Sequence, residues 1–267
     1  MNTTELKYLS ANVIELSKEI SEFLLLEIGQ VNAMDIQIKG LHDFVTYVDK
    51  TAELKIATRL GKLLPAAGML LEEKSMDKHG DRFQWVVDPL DGTTNFIHRL
   101  PVFSVSIALL DGDKPVLGVV HEANRDECFS AWQDAPALLN GSEISVSSIS
   151  SMDKALLATG FPYNEYGKLD AYIDIFKYLV QHTSGLRRLG SAAVDLAYVA
   201  CGRFEGFYEY GLHPWDVAAG AFIVQQAGGK VTDFHGDNNF IFGAEMLASN
   251  KTLHNSMQEV LKRFITQ

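Results

Sequence analysis

Asp88 and Asp91 stand three residues apart in WVVDPLDGTTNF (85–96), directly after an apolar run. Glu72 and Glu73 close another short apolar run, GMLL (68–71), and Asp216 sits at the head of HPWDVAAG (213–220). Glu209 lies among aromatic residues in FYEYG (207–211). Each acid alone has a plain explanation: a turn or a helix N-terminus for the aspartates, a solvated surface for the paired glutamates. Glu209 is harder to dismiss, because burying an unpaired carboxylate is costly. Together the acids form a set of oxygen donors at strand ends and helix starts. Such a set suits hard divalent cations, above all Mg²⁺, which is often held by carboxylates, waters and substrate phosphate. The amides of Gly92, Thr93 and Thr94 open a helix after Asp91, where an anion is favoured. Acids that need cations, beside amides that suit phosphate, describe phosphoester hydrolysis.

Periodicity supplies the elements that position these residues. Leu6, Leu9, Val13, Leu16, Ile20 and Phe23 mark an amphipathic first helix, and a second is expected over about 49–63. Strands are expected at 68–71, 83–88, 102–110, 115–120, 153–160, 204–210 and 230–234, with helices near 168–182, 191–202, 215–227 and 251–265. Pro89 has no N–H for a ladder, so the strand is expected to end at Asp88 and the chain to turn. A hairpin is expected from 128–132 to 144–147 across the Asn140–Gly141 turn. Asp88 at the carboxyl end of its strand is where open α/β sheets place ligands.

The net charge of −11, from 34 acids and 23 Lys and Arg, argues against a nucleic-acid or anionic-membrane surface. Two cysteines, Cys128 and Cys201, build neither a disulfide framework nor a thiolate site and read as buried thiols. The start MNTTELKYLSANV has no signal-peptide pattern and no run is long enough to span a membrane, so the expected compartment is the cytoplasm. The eight histidines include no HExxH pair, and His98 and His213 read as structural. Arg187 and Arg188 suit either the cleft or a surface ion pair.

WVVDPLDGTTNFIH (85–98) and WDVAAGAFIVQQAGGKVTD (215–233) resemble the two signature motifs of the inositol monophosphatases. DFVTYVD (43–49), EE (72–73) and RRLGSAAVDLAYVACGRFEGFYEYGLHPWD (187–216) match in the same order, so the resemblance spans nearly the whole chain. TNF after DPLDGT resembles the inositol monophosphatase branch rather than the nucleotide-phosphate or histidinol-phosphate branches. Leu71 departs from the glycine usual before the two glutamates, and QDAPALLNG (133–141) lacks the glycine-rich form of many relatives.

The resemblance implies an α/β (α+β) fold, a five-layer αβαβα sandwich of the inositol monophosphatase and fructose-1,6-bisphosphatase type. It would join halves 1–148 and 149–267 as one compact unit and form a homodimer. It implies two to three Mg²⁺ ions: Glu72, Asp88 and the Leu90 carbonyl at the first, and Asp88, Asp91 and Asp216 at the second. Glu72 would hold a weaker third near Lys39 and Asp43. Asp49 and Thr93 would orient the attacking water, and the Gly92 and Thr93 amides would bind phosphate. Asp91, Ala192 through its backbone, Glu209 and Asp216 would bind sugar-like hydroxyls. The implied reaction is lithium-sensitive hydrolysis of inositol monophosphate, with fructose 1,6-bisphosphate or 3′-phosphoadenosine 5′-phosphate as alternatives. Some relatives are partners of the transcription machinery, which adds a regulatory alternative.

Overall fold

The computed structural model describes the chain except residues 32–36, 41–42, 77, 163–164 and 266–267; side chains of 37–40 and 43–44 also lie outside the described part. Helix α1 (Thr3–Glu27) opens on a capping box. Asn2 accepts the Glu5 N–H at 2.9 Å, and Glu5 accepts the Asn2 N–H at 2.8 Å. Its buried stripe Leu6, Leu9, Val13, Leu16, Ile20 and Leu24 keeps the three- and four-residue spacing expected of it. The short strands β1 (Gln37–Gly40) and β2 (Asp43–Val45) pair with each other and lead into α2 (Tyr47–Leu63), capped by Thr46.

The larger sheet follows: β3 (Gly68–Leu71), β4 (Phe83–Asp91), β5 (Ser104–Asp111), β6 (Lys114–Glu122), β7 (Glu127–Trp132), β8 (Leu138–Leu139) and β9 (Ser142–Glu143). A short helix α3 (Thr93–Ile97) intervenes after β4. These seven strands lie in sequence order, parallel only between β3 and β4. The rest of the chain runs β10 (Leu156–Thr159), α4 (Leu169–His182), β11 (Gly185–Arg187), α5 (Ala192–Ala200), β12 (Gly206–Tyr210), α6 (Pro214–Gln226), β13 (Lys230–Thr232), β14 (Glu245–Ser249) and α7 (Lys251–Ile265). Its five strands order as β11-β10-β12-β14-β13.

Helices α1 and α2 cover one face of the larger sheet, and α5 and α6 fill the space between the two sheets. Helices α4 and α7 cover the far face of the smaller sheet. The layer order is therefore αβαβα. Helix α6 is apolar almost all round because it meets protein on every side. Strand β5 is buried along its length up to Leu110, since both faces of its sheet are covered.

Three local expectations are corrected. Strand β4 continues through Pro89 to Asp91, because the ladder with β5 absorbs the proline in a register shift between Asp88 and Asp91. The Asn140–Gly141 turn joins β8 to β9, and β7 pairs with β8, so residues 144–147 form no strand. Cys201 is only half-buried, whereas Cys128 is buried, and both are free thiols. Among the described residues no helix is long and apolar enough to cross a membrane.

His254 ties α7 to the smaller sheet, its ring nitrogens lying 3.0 Å from Thr232 Oγ1 and 2.9 Å from Ser249 Oγ. Burial, and then the charge of Lys230, push its pKa down from 6.5 to about 4. The unfolded chain therefore takes this proton first. The stability His254 contributes is complete above pH 6.5 and is lost as pH falls through about 4. His254→Gln is expected to be less stable than the unsubstituted protein at neutral pH, with the gap closing between pH 6.5 and about 4. Parallel thermal-unfolding curves across that window would refute the assignment.

Candidate functional site

A regular strand sends successive side chains to opposite faces, so residues three apart belong on different faces. Asp88 and Asp91 escape this rule. Asp88 pairs with Ser106 and Asp91 with Ser104, so three steps on β4 match two on β5. The extra residue is a β-bulge, and it turns both carboxylates toward the middle helices. Ser106 donates to the Trp215 carbonyl at 3.0 Å, and Ser104 lies 3.2 Å from the Ser191 hydroxyl. The serines opposite the two acids thus fix the N-terminal ends of α6 and α5.

Asp91 is buried and anchored across the molecule. Its Oδ2 accepts from the Ser191 hydroxyl at 2.6 Å and from the Ala193 N–H at 2.7 Å. Gly92, not Asp91, caps α3; its φ of 100° and the Val102 carbonyl 3.1 Å from any added Cβ demand glycine. Asn95 donates to the Val102 and Leu189 carbonyls, both at 2.8 Å, and so joins this segment to the loop before α5. Within the TNF signature, Asn95 is a clamp.

The other acids arrive on separate elements. Glu72 follows β3, whose last residue Leu71 pairs with Val87 and is buried, so the leucine found in place of glycine fits the sheet. The loop after Glu72 is held by Glu53 of α2, which accepts the Glu73 N–H at 2.7 Å and the Ser75 N–H at 2.8 Å. Glu53 is fully buried, and the sequence reading missed it; an acid on the inner face of α2 was the available signal. Asp216 closes a capping interaction on α6, accepting the His213 N–H at 2.7 Å. Glu209 of β12 is buried with its carboxylate over Gly160, where a Cβ would stand 2.0 Å from Oε1.

Glu72, Asp88, Leu90, Asp91, Gly92, Thr93, Ala192, Glu209 and Asp216 all line one cavity of about 480 Å³. Asp49 stands behind Thr93, whose hydroxyl is 3.2 Å from Asp49 Oδ1 and 3.1 Å from the Leu90 carbonyl. The second Asp49 oxygen accepts from the Thr46 N–H at 2.9 Å and the Thr46 hydroxyl at 2.6 Å. Lys39 and Asp43 fall on β1 and β2, but their side chains lie outside the described residues. His213 and Arg188 line the cavity, as do Ser191 and Asp195, two residues the sequence reading did not single out. Arg187 lies on β11 and is exposed.

The electrostatics are those of acids crowded without cations. Burial, then the charges of Glu72, Asp91 and Asp216, push the Asp88 carboxyl well above the usual carboxylate range. Burial raises Asp91 to about 6 against the opposing bonds from Ser191 and the α5 amides, and burial with the Asp91 charge raises Asp216 to about 7. An oxygen-only donor set whose members repel one another fits a divalent cation. Among the described residues no three acidic, His or Cys side chains stand in ligand spacing for a metal ion.

Comparison with known proteins agrees with this arrangement. The inositol monophosphatase family model matches residues 5–265. The chain is 41% identical to a Nus factor SuhB of Pseudomonas aeruginosa, covering 88% of each. The extragenic suppressor protein suhB of Bartonella henselae superposes with a TM-score of 0.91 at 36% identity, covering 96% of this chain and 99% of that one. An inositol monophosphatase from Anabaena gives a TM-score of 0.86 at 34% identity, covering 97% of each. The chain belongs to the inositol monophosphatase family, and its two-sheet architecture is the one these structures share. Family membership supports phosphatase chemistry.

Two outcomes follow from the site. Because Asp91 and Asp216 hold protons up to about 6 and 7, the cluster's contribution to stability is present at low pH and lost as pH rises through those values. A cation replaces those protons, so millimolar Mg²⁺ is expected to raise Tm more at about pH 8 than at about pH 5.5. An equal shift at both pH values would contradict this. Separately, Glu53→Ala leaves two backbone N–H groups without their acceptor and is expected to cost about 2–3 kcal/mol in urea unfolding. Unchanged stability would show that the loop after Glu72 does not depend on Glu53.

Proposed function

We propose that the chain is a Mg²⁺-dependent phosphomonoesterase that hydrolyses inositol monophosphate to inositol and phosphate. The observation that carries this reading is the convergence of Glu72, Asp88, Asp91 and Asp216, from three separate places in the sequence, on one cavity. The cavity of about 480 Å³ is of a size that suits a small polyol phosphate. The Anabaena relative is itself called an inositol monophosphatase.

In this reading Glu72, Asp88, the Leu90 carbonyl, Asp91 and Asp216 would hold the Mg²⁺ ions. Bound cations supply positive charge to the phosphoryl oxygens and make water acidic enough to attack near neutral pH. The chain's own residues do the rest. Asp49 accepts the Thr93 hydroxyl hydrogen, which leaves a Thr93 lone pair to accept a hydrogen bond from water and orient it. The Gly92 and Thr93 amides, at the start of α3, hold phosphate oxygens. Glu209, Asp91, Asp216 and the Ala192 backbone hold hydroxyls of the leaving alcohol. Lithium sensitivity, a homodimer and a cytoplasmic location belong to the same proposal, as do Lys39 and Asp43 beside a weaker third ion.

Fructose 1,6-bisphosphate and 3′-phosphoadenosine 5′-phosphate are the alternative substrates for the same chemistry. The name of the Pseudomonas aeruginosa relative favours a second reading, a Nus factor role, which a catalytic site does not preclude. Phosphate release with and without Mg²⁺ is the test across the three substrates. Inositol 1-phosphate is expected to turn over fastest, and only with the cation. Asp91→Asn is expected to lose more than the roughly 10–100-fold typical of a supporting group near a metal. Full turnover by that variant would sink the metal assignment.

A further inference from the structure

We propose that Asp195 determines specificity in this cavity: its Oδ1 pairs with a hydroxyl of the leaving polyol, on the side facing Glu209. The inference rests on the phosphomonoesterase reading and adds a residue that selects the leaving alcohol.

Asp195 lies in the first turn of α5, is 1% exposed, and lines the cavity together with Glu209, Arg188 and Gly160. Its Oδ1 is buried and has no hydrogen-bond partner within the protein among the described residues. A buried polar oxygen left without a partner is destabilising, so such an atom on a residue of a cavity wall marks where a ligand donor belongs. The same wall carries Glu209, held over the bare Cα of Gly160. Two acidic residues from different elements, β12 and α5, therefore line one cavity. That arrangement suits two hydroxyls of one ring. Burial, then the Glu209 and Asp91 charges, push the Asp195 carboxyl well above the usual range, so it can donate as well as accept. A leaving group with a second phosphate would bring negative charge against this acidic wall, with Arg188 and Lys74 the cationic side chains among the described residues of the cavity lining.

The mechanism uses Asp91, Glu209 and Asp216 but gives Asp195 no task, which leaves its burial unexplained by metal binding. Recognition of the alcohol explains it.

The experiment compares kcat/KM for inositol 1-phosphate with that for 4-nitrophenyl phosphate, whose leaving group carries no further hydroxyl. Asp195→Leu removes the hydrogen-bonding oxygen at similar volume. The ratio of the two constants is expected to fall about tenfold, mainly through KM for inositol 1-phosphate. Asp195→Asn keeps an oxygen and is expected to hold the ratio within about threefold of the unsubstituted protein. Asp195→Ala serves by the same criterion should the leucine variant not fold. A ratio unchanged in Asp195→Leu or Asp195→Ala overturns the inference while leaving the phosphatase reading intact. No Mg²⁺-dependent release from either substrate by the unsubstituted protein overturns both.

Discussion

The Asp91 carboxylate is gripped by residues about a hundred positions away, the Ser191 hydroxyl and the Ala193 N–H, both through one oxygen. The site depends on this grip. Asp91 is buried among other acids, and burial opposes its charge. The hydroxyl and the amides at the start of α5 favour the charged form, as helix N-termini do. The same contact ties the end of β4 to the start of α5 at the cavity wall. Ser104 and Ser106 reinforce it by touching the starts of α5 and α6 from the opposite strand. A break here would part the DPLDG segment from the start of α5.

The surrounding core makes such a cluster tolerable. Apolar side chains from both sheets pack α5 and α6 between them, and the acids occupy only the end of that middle layer. Repulsion among Glu72, Asp88, Asp91 and Asp216 is resolved either by protons or by cations. Rigid elements carry nearly every member: strands β4 and β12, and helices α2, α3, α5 and α6. Glu72 alone rides on a loop, and buried Glu53 restrains that loop from behind.

Much of this was legible in the residues. Helical spacing found α1, α2 and α7 closely, because one face of each meets solvent and the other a sheet. The short β8, β9 and β11, and the buried β14, left no such mark, since strands of a few residues, or strands covered on both faces, show no alternation. The DPLDG and WDVAAG segments pointed to one site because their acids had no structural use that explained both together. Ser191 and Asp195 stayed hidden for the opposite reason: a serine cap and an acid in the first helical turn are ordinary features. Glu53 stayed hidden because a single acid in an amphipathic helix is an ordinary feature. Only the three-dimensional neighbours, two N–H groups in one case and a cavity in the other, separate these residues from the common pattern.

The bulge at Pro89 has a wider implication for how such sites are written in one dimension. Parity governs a strand: members of one face share odd or even numbers. Asp88 and Asp91 break parity, and they share a face only because two residues of β4, Pro89 and Leu90, stand against one of β5, Val105. The proline, which cannot donate to the ladder, is the natural residue to leave out of the count. An acid pair of mixed parity straddling a proline at the end of an apolar run is thus a signature of a shared face. By the same logic, a regular one-for-one ladder over this stretch would leave composition and burial almost untouched and yet dismantle the site, by sending one carboxylate into the helices on the wrong side of the sheet.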